Sequence, residues 1–203
     1  MMPKNTQINL QNIFPTPIWW VDLDLNNDAL ADECYQVKNS QPEGRLCSTR
    51  DGYQSNDLDL NTNQTNLLQL IEEIAEVSNT IFQSEYLEEG DRRELYVDNC
   101  WVNINPKGGY HLRHTHPGAF FSGVYYVKCM CDYDQGSIRF WRSEWEDFIA
   151  LKDIASDKSD SFVVYPPVQG RLLLFPSHLP HSVERNELDS DRIAISFNLR
   201  VCE

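Results

Sequence analysis

All five histidines of this chain lie in two short segments, and their spacing suits a metal ion. His114 and His116 are two residues apart, so in a β-strand both side chains point to one face and can bind the same ion. His181 follows a turn after an apolar stretch and is the natural third ligand. Three protein ligands leave positions open for a substrate or oxygen, as in a catalytic site. His111 and His178 are predicted to lie near the site or on the surface.

Arg192 is the candidate partner for an anion at this site. It begins the β-rich stretch 192–201, and a guanidinium can bind a carboxylate through two parallel hydrogen bonds. If this stretch runs antiparallel to the apolar stretch 171–175 that precedes His181, its first side chain can point inward beside the metal. The alternative is a surface ion pair at the end of a strand.

The charge distribution also points to an anion near the histidines. The chain has a net charge of −14, yet residues 106–142 carry five basic and only two acidic side chains. Such a strongly acidic chain is a poor partner for nucleic acid or an anionic membrane. No apolar run reaches the roughly 18 residues of a membrane span.

Short β-rich runs dominate the second half of the chain. From residue 94 the apolar residues alternate with polar ones, and turn residues rather than helical crossovers separate the runs. We predict strands at 94–105, 121–128, 137–141, 161–165, 171–175 and 192–201. This pattern favours an antiparallel sandwich or jelly roll. The predicted fold is therefore mainly β with flanking helices, and its core is a double-stranded β-helix of the cupin-like kind.

The first half of the chain supplies one strand and then helices. Two prolines and an aromatic run predict an edge strand over 13–21, in which Trp19 and Trp20 cannot both face inward. Asn26 to Asp28 can cap a helix that ends near residue 37. Apolar residues at three- and four-residue steps predict a longer helix over 64–84.

These elements predict one domain over residues 1–203. Residues 1–93 would form the strand and a helical scaffold, and 94–203 the jelly-roll core. The polar segment 41–59 and the acidic, Trp-containing segment 143–158 are candidate lids, because loops at the mouth of a jelly roll usually select the substrate.

Three stretches of the second half resemble a known enzyme family. They are HTHPGAFFSGVYYV from His114, GRLLLFPSHLPHSV from Gly170 and RIAISFNL from Arg192. They are similar to the Fe(II)/2-oxoglutarate-dependent oxygenases, most closely to a group common in marine bacteria and their phages and more distantly to the prolyl hydroxylases. The resemblance covers about 99–199, with FPTPIWW near the start as a weaker match.

The resemblance implies Fe(II) as the metal, 2-oxoglutarate as cosubstrate and O₂ as oxidant. His114, His116 and His181 would bind the iron, and Arg192 the far carboxylate of 2-oxoglutarate. The enzyme would hydroxylate a prolyl or other amino-acid C–H bond in a peptide or small molecule, releasing succinate and CO₂.

Further contacts to 2-oxoglutarate are also implied by the resemblance. The superfamily often places a tyrosine hydroxyl against the same carboxylate at the position of Tyr126, and Asn105 and Ser196 are additional candidates. The sequence departs from the family at His116, where most members have Asp or Glu, and at Ala194, where many have Ser. The site is therefore one charge more positive than the usual one.

The sequence also predicts the cellular location of the protein and its partners. Six scattered cysteines and the absence of an apolar leader predict a reducing cytoplasm, of a bacterium or of the host if a phage encodes the chain. We expect no nucleic-acid or membrane partner, and allow for a homodimer.

Two other functions compete with the oxygenase. Gly170, Pro176, His181 and Asn186 approximate the second motif of cupin metal enzymes, which would use three histidines without 2-oxoglutarate. The glutamate expected after the HxH pair is absent, because residues 117–127 contain no acid. The second competitor is a binding or assembly protein in which zinc only stabilises the fold.

Overall fold

A computed structural model describes residues 15–130, 136–142 and 162–202 of the chain. The candidate lid segment 143–158 lies outside these described residues. Two helices are present in them, α1 (Asn27–Ser40) and α2 (Thr65–Tyr86). The strands are β1 (Trp19–Asp22), β2 (Thr49–Arg50), β3 (Tyr53–Gln54), β4 (Leu95–Asn105), β5 (Tyr110–His114), β6 (Phe121–Lys128), β7 (Ile138–Trp141), β8 (Phe162–Tyr165), β9 (Arg171–Pro176), β10 (His181–Val183) and β11 (Arg192–Val201).

The strands form two antiparallel sheets. The larger sheet has the order β1-β9-β6-β11-β4-β3, and the smaller one β2-β5-β10-β7-β8. This arrangement confirms the predicted mainly β, jelly-roll fold. All the strands predicted from 94 onward are present within a residue or two. The short strands β5 and β10, which carry histidines, are additional to the predicted set, because five and three residues hold too little alternation to be recognised.

The condition under which Arg192 was expected to point inward, namely that 192–201 runs antiparallel to 171–175, is not met. β9 and β11 both run antiparallel to β6, which lies between them, so they run in the same direction rather than opposite ones. Arg192 faces the interior nevertheless, because alternate residues of β11 point to the space between the sheets.

The larger sheet is covered by apolar side chains on both faces at its strand β9. In β9, Leu172 and Leu174 pack in the cluster that contains α1 and α2, whereas Leu173 and Phe175 pack towards the smaller sheet. A strand that is buried on both faces reads as a continuous apolar run, as this one does. At the edge strand β1, Trp19 packs on Phe121 and Trp20 is 58 % exposed, as predicted.

The two helices begin where side chains satisfy their free N–H groups. The Asn26 side chain accepts from the backbone N–H of Ala29 (3.2 Å) at the start of α1, as predicted. At α2, the buried carboxylate of Glu33 accepts from the backbone N–H groups of Asn66 (3.2 Å) and Leu67 (2.8 Å). α1 thus caps α2. In the described residues, no helix is long and apolar enough to cross a membrane.

Candidate active site

Three imidazoles converge between the two sheets. His114 ends β5 and lies opposite His181, the first residue of β10, in the strand register. His116 lies just beyond β5, where its backbone N–H donates to the carbonyl of Ser177 (3.0 Å). A turn, rather than the pleat of a strand, therefore brings His116 to the site. The ligand atoms of the three side chains all lie within 4.8 Å of one another.

The donor geometry fits a first-row metal ion. The Nε2 atoms of His116 and His181 are 3.2 Å apart, and two nitrogens at about 2.1 Å from one ion, at a right angle, are about 3.0 Å apart. The Nδ1 atoms of His114 and His181 lie 2.7 and 2.9 Å from the carbonyls of Leu112 and Leu179. A carbonyl accepts only from a protonated Nδ1, so both rings keep an Nε2 lone pair for the metal.

Burial keeps these imidazoles neutral. It lowers the pKa of His114, lowers that of His116 to about 4 with help from His114 and Arg45, and lowers that of His181 well below its ordinary value. A metal does not have to displace protons from neutral imidazoles at physiological pH. The three histidines are therefore ready to bind a metal.

Arg192 is a buried cation on the wall of the same cavity. It is only 5 % exposed. Its Nη1 donates to the carbonyl of Gly136 (2.6 Å) and its Nη2 to Oδ1 of Asn105 (3.2 Å), whereas its Nε has no acceptor among the described residues. No described carboxylate forms an ion pair with it. A buried charge without a counter-ion is costly, so an anionic ligand in the cavity would stabilise this guanidinium.

A chain of hydrogen bonds connects Arg192 to the histidines. Because Arg192 can only donate, Oδ1 of Asn105 faces it, and Nε2 of His111 (3.2 Å) must donate to the same oxygen. Nδ1 of His111 then accepts from the Ser48 hydroxyl (3.3 Å), which lies 3.5 Å from Nε2 of His114. Burial lowers the pKa of His111 to about 3, so the ring in this chain is neutral.

Tyr126 and Ser196 lie at different places along the cavity wall. Tyr126 is fully buried, and burial raises the pKa of its phenol to about 12 while the charge of Arg192 acts in the opposite direction. It therefore stays protonated and can donate to an anion. Ser196 lies four residues beyond Arg192 on β11, about 13 Å along an extended strand, and its hydroxyl accepts from Nδ2 of Asn103 (2.9 Å).

One cavity of about 480 Å³ joins these side chains, a volume typical of small-molecule sites. The three metal-binding candidates, Tyr126, Arg192 and Ser196 all line it, and Asn105 stands behind Arg192 instead. Other described residues that line it are Arg45, Cys47, Ser48, Gln54, Asn99, Trp101, Asn103, His111, Arg113, Thr115, Asn198 and several apolar residues. His178 is exposed and lies apart from the three histidines.

Sequence reasoning missed the contribution of 45–54 to the site. This stretch supplies Arg45, Ser48 and Gln54 to the cavity wall, because β2 pairs with β5 and β3 with β4. The only signal was the general expectation that the polar segment 41–59 borders the site. Trp101 and Asn103 were also missed, although they share with Asn105 the inward face of β4.

The residues present fit the cofactors that the sequence implies. Three neutral imidazoles form a donor set for Fe(II), which also suits other first-row metals. A buried guanidinium and a protonated phenol on the same wall match a carboxylate of 2-oxoglutarate.

Comparison with known proteins agrees with this fit. Residues 99–198, about half of the chain, match the model of the family described as "Putative 2OG-Fe(II) oxygenase". No curated protein sequence gives a significant match.

Solved structures share the fold at low sequence identity. A prolyl-4-hydroxylase from Pseudomonas putida has a TM-score of 0.61 at 18 % identity, over 91 % of this chain and 92 % of that one. A Trichoplax adhaerens prolyl hydroxylase, solved with a peptide of hypoxia inducible factor, has 0.59 at 16 %, over 90 % and 83 %. HygX from Streptomyces hygroscopicus, solved with nickel and 2-oxoglutarate, has 0.58 at 12 %, over 91 % and 83 %. Through residues 99–198, which carry the three histidines, Tyr126 and Arg192, the chain belongs to the 2OG-Fe(II) oxygenase family.

Proposed function

We propose that this enzyme is a 2-oxoglutarate-dependent dioxygenase that binds Fe(II) through His114, His116 and His181. The observation that carries the proposal is Arg192, a buried guanidinium without a carboxylate partner among the described residues, on the wall of the cavity that holds the three histidines. A cupin-type enzyme that does not use 2-oxoglutarate would need an anionic substrate to match this charge.

The side chains have separate tasks in this proposal. Arg192 and the Tyr126 hydroxyl bind the far carboxylate of 2-oxoglutarate, and Asn105 orients the guanidinium. The carbonyls of Leu112 and Leu179 orient the rings of His114 and His181. When bound, Fe(II) and 2-oxoglutarate supply the oxidation of a substrate C–H bond by O₂, with release of succinate and CO₂.

The cavity walls set the conditions for that chemistry. Apolar side chains such as Ile138, Phe175 and Val183 line the cavity beside the histidines and exclude water from the ligands. In a dry site the charge of Arg192 acts more strongly on a bound anion than it would in water.

Anaerobic titration with Fe(II) and 2-oxoglutarate tests this function. We expect a weak visible charge-transfer band that requires both components, and succinate formation once O₂ is admitted. Arg192→Gln should weaken 2-oxoglutarate binding by about tenfold or more, because hydrogen bonds to charged groups contribute about 1.5–3 kcal/mol. If iron binds but neither band nor succinate appears, the proposed function is wrong.

The proposal also covers the domain organisation, location and partners of the enzyme. We propose that residues 1–203 form one domain with its jelly-roll core at 94–203, that the enzyme works in the cytoplasm, and that its substrate is a peptide or a small molecule. Neither nucleic acid nor a membrane is among its partners in this proposal, and a homodimer is the assembly to test by light scattering.

A further inference from the structure

The cavity extends along β4 and β11 away from Arg192, and in this direction the ring of Trp101 lies 5.7 Å from the ring of His116. Along the inward faces of β4 and β11, Trp101 lies opposite Ser196 and Asn99 opposite Asn198 in the strand register, and all four line the cavity. This end therefore lies beyond the proposed binding site of 2-oxoglutarate. It is the part of the cavity that remains for the substrate.

The charges of the cavity wall are all positive. Arg45, Arg113 and Arg192 line the cavity, and no Asp, Glu or Lys is among the described residues that do so. The chain as a whole has a net charge of −14, so this arrangement is local. Such a wall repels a cationic substrate and attracts an anionic one.

Arg45 is held in place at the substrate end. Its guanidinium lies over the ring of Trp101, 5.1 Å from the centroid, and Nη2 is 2.9 Å from a carboxylate oxygen of Asp57. When the Gln54 amide is oriented with its oxygen towards its donor neighbours, that oxygen accepts from Nε of Arg45 (3.3 Å) and Nε1 of Trp101 (3.2 Å). A guanidinium has five N–H donors, so Arg45 retains donors for a ligand.

Asn103 lacks one hydrogen bond at the same wall. It is 3 % exposed and pairs with Gln54 in the strand register. Its Nδ2 donates to the Ser196 hydroxyl (2.9 Å), but its Oδ1 has no donor among the described residues. A buried acceptor without a donor costs about 1–3 kcal/mol. A ligand that donates an N–H or O–H to this oxygen would remove that cost.

We propose that the wall formed by Arg45, Gln54, Trp101 and Asn103 is the substrate site, and that the substrate is a small carboxylic acid with an N–H or O–H group, such as a free amino acid. The carboxylate pairs with Arg45 and the donor with Oδ1 of Asn103. This inference rests on the proposed function, because the proposed function assigns the Arg192 end of the cavity to 2-oxoglutarate.

Calorimetric titration of the full-length enzyme, loaded with redox-inert Zn(II) and saturated with 2-oxoglutarate, tests the substrate class. The probes are the standard amino acids, their primary amides, and a proline-containing peptide blocked at both ends. We expect at least one free acid to bind saturably, and its amide to bind about tenfold more weakly or worse, because a charge-assisted hydrogen bond contributes about 1.5–3 kcal/mol.

Variants identify the residues responsible. Arg45→Gln should abolish the preference for the acid over its amide, Arg45→Lys should retain part of it, and Asn103→Leu should weaken both probes. Arg93→Gln is the matched control, because Arg93 is an exposed arginine bound to Asp91 and does not line the cavity. Thermal melting verifies that each variant is folded.

The outcomes separate the two proposals. Equal binding of acid and amide, binding of the blocked peptide instead of the acids, or no binding of any acid would each overturn the substrate class. The same sample is first titrated with 2-oxoglutarate. If wild-type protein does not bind it, the proposed function fails, whereas normal 2-oxoglutarate binding with failure of the acids refutes only this inference.

Discussion

His116 is the residue at which the site departs from the carboxylate found in most of the enzymes that it resembles. A neutral imidazole leaves the metal one charge more positive, which favours a dianionic cosubstrate. We expect His116→Asp to retain metal but to bind 2-oxoglutarate several-fold more weakly, because the added charge repels the anion.

Calorimetry at saturating Mn(II) measures this effect separately from metal affinity. His178→Asp is the matched control, because His178 is exposed and not among the three clustered histidines. Tighter 2-oxoglutarate binding by His116→Asp would contradict the electrostatic account.

We expect Asn105 to act on the site through Arg192, because Asn105 does not line the cavity. Its Oδ1 accepts from both Arg192 and His111. Asn105→Ala should weaken 2-oxoglutarate binding by about five- to tenfold, because one hydrogen bond contributes about 1 kcal/mol. Asn105→Asp should weaken it more, because the new carboxylate would pair with Arg192 and compete with the cosubstrate.

Fluorescence titration with 2-oxoglutarate, together with a separate metal titration, checks this role. Metal affinity should not change, and Asn63→Ala, at an exposed asparagine, should behave as wild type. The positioning role is refuted if Asn105→Asp binds 2-oxoglutarate as tightly as wild type does.

At the scale of elements, the positions of strands could be predicted better than the pairing between strands that are far apart in sequence. The alternation in 94–105 and 192–201 follows from burial of one side of each strand, so it can be read locally. The contribution of 45–54 depends on pairing with β4 and β5. That pairing arises from backbone hydrogen bonds between residues far apart in sequence, and two-residue strands carry no periodic pattern. The histidines and Arg192 were therefore found, and Arg45, Ser48 and Gln54 were not.

Helix α2 depends on α1 for the start of its hydrogen-bonding pattern. Gln64, its N-cap residue, makes no side-chain hydrogen bond to the helix, and Glu33 of α1 supplies the acceptors instead. Glu33→Ala should lower the free energy of unfolding by about 1–3 kcal/mol, because it removes a charged acceptor from buried N–H groups.

Urea unfolding followed by circular dichroism measures this loss. Asp32→Ala is the control, because Asp32 is the exposed neighbouring acid on the same helix. If the two variants are equally stable, Glu33 does not cap α2.

At the scale of the whole molecule, the fold class followed from the sequence, whereas the division of polar side chains between the faces of the larger sheet did not. The inward face of β4 carries Asn99, Trp101, Asn103 and Asn105. A polar residue at an alternating position normally faces solvent, so this strand reads as half exposed. It instead lines an internal cavity, so the polar residues of β4 face inward, towards the candidate site, rather than outward.

The same burial should make the stability of the metal-free protein sensitive to acid. Burial lowers the pKa of His111 to about 3 and that of His116 to about 4, from 6.5, and also lowers the pKa values of His114 and His181. Between pH 6.5 and these lowered values the unfolded chain binds more protons than the folded one. The stabilisation is therefore complete above pH 6.5 and is lost as the pH falls, by up to about 1.4 kcal/mol per pH unit for each histidine.

His111→Gln isolates one part of this dependence, because glutamine does not titrate. Between pH 7.5 and 5 the variant should lose about 2 kcal/mol less stability than wild type, since about 1.5 pH units of this range lie below 6.5. Urea unfolding of metal-free protein at both pH values gives the difference, and the exposed His178→Gln serves as the matched control. A wild-type pH profile for His111→Gln would mean that His111 takes up a proton at the same pH in the folded and the unfolded protein, and the hydrogen bonds through Ser48, His111 and Asn105 would then need another arrangement at pH 5.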